Sequence, residues 1–284
     1  MPDRLAVLPQ YLLPKQALTS RAGRIANAQR GAKTTRLIAW FVRKYGVDMS
    51  EAAEPDIARY ASFNDFFTRA LKPGARPLAD AEFVCPVDGA ISQFGAIVKR
   101  NQIVQAKGHR YTTTALVGGD AALAAAFDEG SFATLYLSPR DYHRIHMPCD
   151  GRLLRMIHVP GALFSVNPTT ARGVPGLFAR NERVVCVFES ASGTPFVLVL
   201  VGATIVGSMA TAWHGVVTPP RSSAIRQWRY DDQAIELKQG QEMGRFLLGS
   251  TVVLLFPKAD ALQFNPAWEP GKAIRLGEVM AGRA

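Results

Sequence analysis

Cysteine is scarce in this chain. Only Cys85, Cys149 and Cys186 occur in 284 residues. An odd, sparse set excludes a disulfide framework and suits a reducing compartment. The opening MPDRLAV lacks an apolar stretch of signal-peptide length, so no secretion signal is expected. G-x-S-x-G is absent, which removes the nucleophile elbow of the common serine hydrolases. P-loop and dinucleotide fingerprints are also missing, as are HExxH and CxxC metal motifs. From Phe196 to Trp213 no charged residue appears, and the 18 residues meet the lower limit for a spanning helix. Gly202, Gly207 and Ser208 interrupt it, and Val, Ile and Thr enrich it. Two buried strands around a glycine bend fit better than a transmembrane helix.

What is present describes a folded protein. Hydrophobic residues make up 48% and charged residues 20%, a globular and not a disordered composition. The net charge is +10, and residues 1–50 carry +7 of it, with nine Lys or Arg against Asp3 and Asp48. Such an excess attracts a polyanion, either nucleic acid or an anionic membrane. In TTRLIAWFVRKYG, Leu37, Ile38, Phe41 and Val42 recur at helical spacing, Trp40 sits at the boundary, and Arg43 and Lys44 point elsewhere. A basic helix with an apolar aromatic face suits a membrane interface. Nucleic acid is not expected, because aromatics interleaved with base-reading polar groups are missing. An ordinary surface helix packed on its own domain is the alternative.

The first 72 residues read as helices, ending at the turn cluster LKPGARP. Beyond it, short β-like runs (GAISQFGAIV, SFATLYLS, ERVVCVFES, STVVLLF) alternate with glycine-rich turns. The expected class is α+β. A β-rich catalytic domain over 73–284, sandwich or barrel-like, would follow a helical, basic, membrane-associating region over 1–72.

Three polar features could carry chemistry. SPRDYHRIHMPCDG places His143 and His146 between Asp141 and Cys149. A metal reading is weakened by the lack of a second cluster, which leaves acid–base work or two structurally satisfied histidines. CPVDGAISQFG puts Asp88 before Gly89 at a strand entrance, ordinary turn chemistry if taken alone. Finally, Gly249, Ser250 and Thr251 open the run TVVLLF, a strand that reads as buried on both faces. Asp88, His146 and Ser250 together supply a carboxylate, an imidazole and a hydroxyl, the ingredients of an activated serine. A serine pressed between a glycine and a buried strand meets its neighbour's carbonyl more readily than an outside ester.

LLGST, SPRDYHRIHMPCDG, CPVDGAISQFG, FFTRALKPGARP, GALFSVNP followed by LFARNERVV, and KQGQEMGRF occur in that family's order, and together they resemble the phosphatidylserine decarboxylase proenzymes of the membrane-associated prokaryotic type. The match runs from about residue 63 to 256, while the N-terminal helices agree only in character. The resemblance implies self-cleavage between Gly249 and Ser250, giving a β chain of 1–249 and an α chain of 250–284. Ser250 would become a covalent pyruvoyl cofactor, with no metal expected. It would form a Schiff base with phosphatidylserine and release CO2 and phosphatidylethanolamine. By the same resemblance His146 activates Ser250, oriented by Asp88, while His143 assists decarboxylation and Asp141 and Thr251 support the site. Expected partners are the phosphatidylserine substrate, an anionic membrane surface, the chain's own two fragments and a second copy in a homodimer. The expected location is peripheral, on the cytoplasmic side of the cell membrane. A Ser-His-Asp hydrolase using Ser250 and a non-enzymatic membrane-binding module are the rival classes. A decarboxylase for archaeal lipids, or a shorter soluble-type relative, would share the cleavage chemistry.

Overall fold

The computed structural model describes every residue except 1, 99, 107, 205–207, 248–250, 261 and 284. Gly249 and Ser250 therefore lie outside the described residues. Three helices come first: α1 (Pro2–Leu12), α2 (Lys15–Asn27) and α3 (Ala32–Tyr45). Gly46, at φ 65°, closes α3 in the left-handed conformation that suits glycine. Ser62 and Asp65 form a reciprocal capping box that starts α4 (Phe63–Phe67). Four short helices follow later: α5 (Thr113–Leu116), α6 (Ala121–Ala125), α7 (Pro168–Gly173) and α8 (Leu177–Arg180).

The strands begin with β1 (Phe83–Val84), β2 (Gly89–Ala96), β3 (Gln102–Ala106), β4 (His109–Thr112), β5 (Ser131–Tyr136) and β6 (Arg144–His146). Then come β7 (Gly151–Val159), β8 (Arg183–Glu189), β9 (Pro195–Val201), β10 (Met209–Thr211), β11 (Gly215–Thr218) and β12 (Arg226–Arg229). The last are β13 (Glu236–Leu237), β14 (Glu242–Phe246), β15 (Thr251–Phe256), β16 (Leu262–Phe264), β17 (Ala273–Ile274) and β18 (Val279–Arg283). Among the described residues the main sheet runs β12-β7-β8-β9-β15-β5-β2-β17, with β13 also on β7. A second sheet runs β11-β10-β14-β6. The fold is α+β, and every strand pair within these two sheets is antiparallel.

TVVLLF becomes β15, wholly buried between β9 and β5. Its alternate residues enter two separate cores. Val252, Leu254 and Phe256 join the layer shared with Met209, Met243 and Phe246 of the second sheet. Val253 and Leu255 face the layer covered by Leu116, Leu123, Ala171, Leu177 and Val7 of the helices. With apolar partners on both faces, the strand can be continuously hydrophobic. Cys85 and Cys186 are buried in the first layer, Cys149 packs at its edge, and all three are free.

The front helices are not a free-standing layer. Val7 of α1 is buried against α7, and Asp3 pairs with Arg172 at 3.3 Å. Gln10 bonds both Thr170 and the Ser165 amide. The apolar face expected to meet a membrane on α3 is turned inward. Ile38 is 0% and Phe41 9% exposed, packed with Phe63, Phe66 and Phe67 of α4, while Leu37 is half-buried on the same cluster. The physical reason is that α4 presents three rings of matching shape, each worth ~1.5–3 kcal/mol on burial. Of the expected contact residues only Trp40, Arg43 and Lys44 remain exposed, with the Lys44 ammonium 4.7 Å over the Trp40 ring. No helix among the described residues is long and apolar enough to cross a membrane.

Candidate active site

Four stretches of chain converge at one end of the main sheet. Leaving β5 at Tyr136, the chain turns through Ser138, Asp141 and Tyr142 into β6. Asp88 enters from β2, whose Ala90 pairs with Tyr136. Gly89 is required there by close approach: a Cβ would lie 2.3 Å from the Tyr136 carbonyl oxygen. Asp88-Gly89 thus stands at a strand entrance as expected, Gly89 being the first residue of β2. The fourth stretch brackets the Gly249–Ser250 bond. On one side the Phe246 amide donates to the His143 carbonyl at 3.0 Å. On the other, Thr251 stands opposite Tyr136.

The two histidines differ in kind. His143 is 0% exposed, its ring 4.1 Å from that of Phe67. Nδ1 lies 2.7 Å from the Asp141 carbonyl, so it carries the proton and donates. Nε2 is then a lone-pair atom, buried and without a partner among the described residues. Burial holds its pKa down to about 3, against the opposing Asp141 hydrogen bond. His146 is half-buried. Its Nδ1 meets the Gly240 carbonyl at 2.8 Å and its Nε2 the Tyr142 hydroxyl at 3.3 Å. Its pKa is also lowered, by burial first.

The carboxylates are held apart from both rings. Asp88 is gripped by Arg76, whose Nε and Nη2 reach it at 2.9 and 2.6 Å, and it accepts the Leu276 amide at 2.9 Å. Arg76 also bridges to Glu51 at 2.7 Å. The expected orientation of His146 by Asp88 is therefore not a direct contact in this arrangement. Two neutral partners orient His146 instead, because the nearby guanidinium competes better for the carboxylate. Asp141 accepts the Ser138 amide at 2.6 Å, and burial raises its pKa. Thr251 Oγ1 is buried with no partner among the described residues. Beside these groups lies a pocket of about 450 Å³, lined among others by Arg69, Arg76, Asp88, Tyr136, Asp141 and Tyr142.

A family model described as phosphatidylserine decarboxylase matches residues 63–282. The chain belongs to the phosphatidylserine decarboxylase family. A second model, described as PSD, matches residues 5–46 and so reaches the front helices. Among curated relatives, the phosphatidylserine decarboxylase proenzyme of Albidiferax ferrireducens is 78% identical over 279 residues, covering 98% of this chain and 97% of its own. That of Dechloromonas aromatica is 73% identical with both chains fully covered. That of Variovorax paradoxus is 75% identical, over 100% of this chain and 99% of its own.

Within this decarboxylase family frame, sequence reasoning singled out Asp88, Asp141, His143 and His146, and the fold brings all four to one place. It overlooked Arg76, Tyr142 and Arg69. Tyr142 stands between Asp141 and His143 in the quoted motif. Both arginines lie in FFTRALKPGARP, a stretch read as a boundary and as part of the family resemblance with no role given to either side chain.

Proposed function

We propose that this chain is a proenzyme that cuts itself between Gly249 and Ser250 and then converts phosphatidylserine to phosphatidylethanolamine and CO2. The observation that supports this reading is the bracketing of that bond by His143 and Tyr136. It keeps the chain on both sides of position 250 against the histidine-bearing turn. The names of the relatives agree with it.

Each histidine would have a separate task. With its proton on Nδ1, His146 keeps a lone pair on Nε2, the state a base needs to take the Ser250 hydroxyl proton. Tyr142 holds that lone pair in the interim. His143 is neutral at pH 7, so its Nε2 accepts before it can donate. It can position the substrate amine by accepting a hydrogen bond from it, with the Phe67 ring packed against the imidazole. Thr251 Oγ1, without a partner among the described residues, has a hydroxyl proton to offer a pyruvoyl carbonyl formed at the preceding position. When bound, that group supplies a sink for the electrons released with CO2. A hydrolase triad is disfavoured, because Asp88 is committed to Arg76.

Peripheral attachment to an anionic cytoplasmic face is also proposed, and it moves to α1. Leu5, Leu8 and Leu12 share one face of that helix and are 67%, 54% and 89% exposed, beside Leu13, Leu18 and Arg4. Assembly into a homodimer rests on the resemblance alone.

Electrophoresis and intact mass of the purified protein test the reading. Fragments of 249 and 35 residues are expected, the smaller one blocked to Edman degradation. His146→Ala should stay intact, whereas His143→Ala should cut itself yet lose most decarboxylation. An intact chain in decarboxylating material overturns the proposal.

A further inference from the structure

The pocket beside the histidines holds four guanidinium groups, three of them already engaged. Arg76 forks onto Asp88 and Glu51, Arg275 reaches Glu51 at 3.1 Å, and exposed Arg140 lies 3.9 Å from Asp141. Arg69 differs. It is only 5% exposed, and among the described residues no carboxylate comes within ion-pair distance of it. Nη2 makes one long bond, 3.3 Å, to the Arg140 carbonyl, and the guanidinium lies 5.4 Å over the Phe66 ring. Nε is buried with no partner among the described residues. A buried cation with an idle donor is costly unless an anion completes it.

Resting on the decarboxylase reading, we propose that Arg69 is the residue that recognises the phosphodiester of the substrate. Phosphatidylserine offers two anions, a carboxylate and a phosphodiester. A guanidinium on the carboxylate would stabilise the very charge that leaves as CO2 and so raise the barrier. On the phosphodiester the charge is unchanged throughout, and the contact binds ground and transition states equally. Arginine's planar fork suits phosphate oxygens in a way that lysine's point charge does not.

The test compares mature wild type with Arg69→Gln and Arg69→Lys, assayed on a short-chain, monomeric phosphatidylserine. Two competitive inhibitors separate the anions. Glycerophosphoethanolamine carries the phosphodiester without the carboxylate, and O-hexylserine carries the carboxylate without the phosphate. For Arg69→Gln, KM and the inhibition constant of glycerophosphoethanolamine should rise about 10- to 100-fold, the scale of one charge-assisted hydrogen bond. The kcat should stay within about twofold, and O-hexylserine should inhibit as before. Arg69→Lys should fall between, and it carries the same comparison if the glutamine variant does not mature. Weakened O-hexylserine inhibition alone would assign Arg69 to the carboxylate. Equal weakening of both inhibitors, or a fall in kcat at constant KM, would make it structural. Any of these overturns the proposal. A wild type that does not decarboxylate phosphatidylserine would overturn the functional reading instead.

Discussion

Helices α1 and α3 are both short, amphipathic and basic in their surroundings, yet they end in opposite situations. The apolar face of α3 is spent inside the molecule, with Ile38 and Phe41 locked against Phe63, Phe66 and Phe67. α1 docks through Val7, Gln10 and Asp3 and leaves Leu5, Leu8 and Leu12 in solvent. The stronger amphipathic pattern marks the helix that is covered, not the one that is free. A periodic apolar face states that something must cover it; it does not state what.

The sharpest way to break the comparison is at Phe41. If α3 belongs to the core, Phe41→Ala should cost about 3–5 kcal/mol, the range for emptying a buried aromatic site, read as a lower urea midpoint. Unchanged stability with weakened vesicle binding would restore α3 to the membrane. The reciprocal experiment is Leu5, Leu8 and Leu12→Ser on α1. Each leucine contributes at most ~1.5–3 kcal/mol when fully inserted. Cosedimentation with vesicles containing anionic lipid should therefore drop at least about tenfold, with the urea midpoint nearly unmoved. Wild-type cosedimentation by the triple variant would place the membrane contact elsewhere.

Acid gives the most gradual and most selective effect, because α4 also joins the α3 cluster to His143 through Phe67. Burial holds the His143 pKa down to about 3 in the folded protein, against an ordinary value of 6.5. Between these values the unfolded chain holds the extra proton. Its contribution is complete above pH 6.5 and falls as pH drops toward 3, by up to about 1.4 kcal/mol per pH unit. His143→Gln should flatten that slope in urea titrations at a series of pH values. An unchanged slope would mean that the ring is not buried neutral in solution.

Much of the architecture could be read from local pattern. The uninterrupted TVVLLF announced a strand covered on both sides, and LKPGARP marked the passage from helices to strands. Of the candidate site, His143 and His146 stood out as a close pair beside Asp141, and Asp88 through a motif that resembles the family. Arg76 and Arg69 did not, because an arginine in a turn-rich stretch looks the same whether it is solvated or folded over a carboxylate. Asp88 was read as the residue that orients His146, whereas in the structure its carboxylate is held by Arg76.

Chemistry and period are local properties, so residue types and their spacing along the chain suffice to state which groups are available and which faces must be covered. Partnership is not local. Asp88 and Leu276 lie 188 positions apart and His146 and Gly240 94 apart, so the preference of Asp88 for Arg76 and of His146 for a carbonyl is settled only by packing. The same holds for α3 and α1: three phenylalanines from a later helix decide which apolar face vanishes into the core and which is left to meet something else.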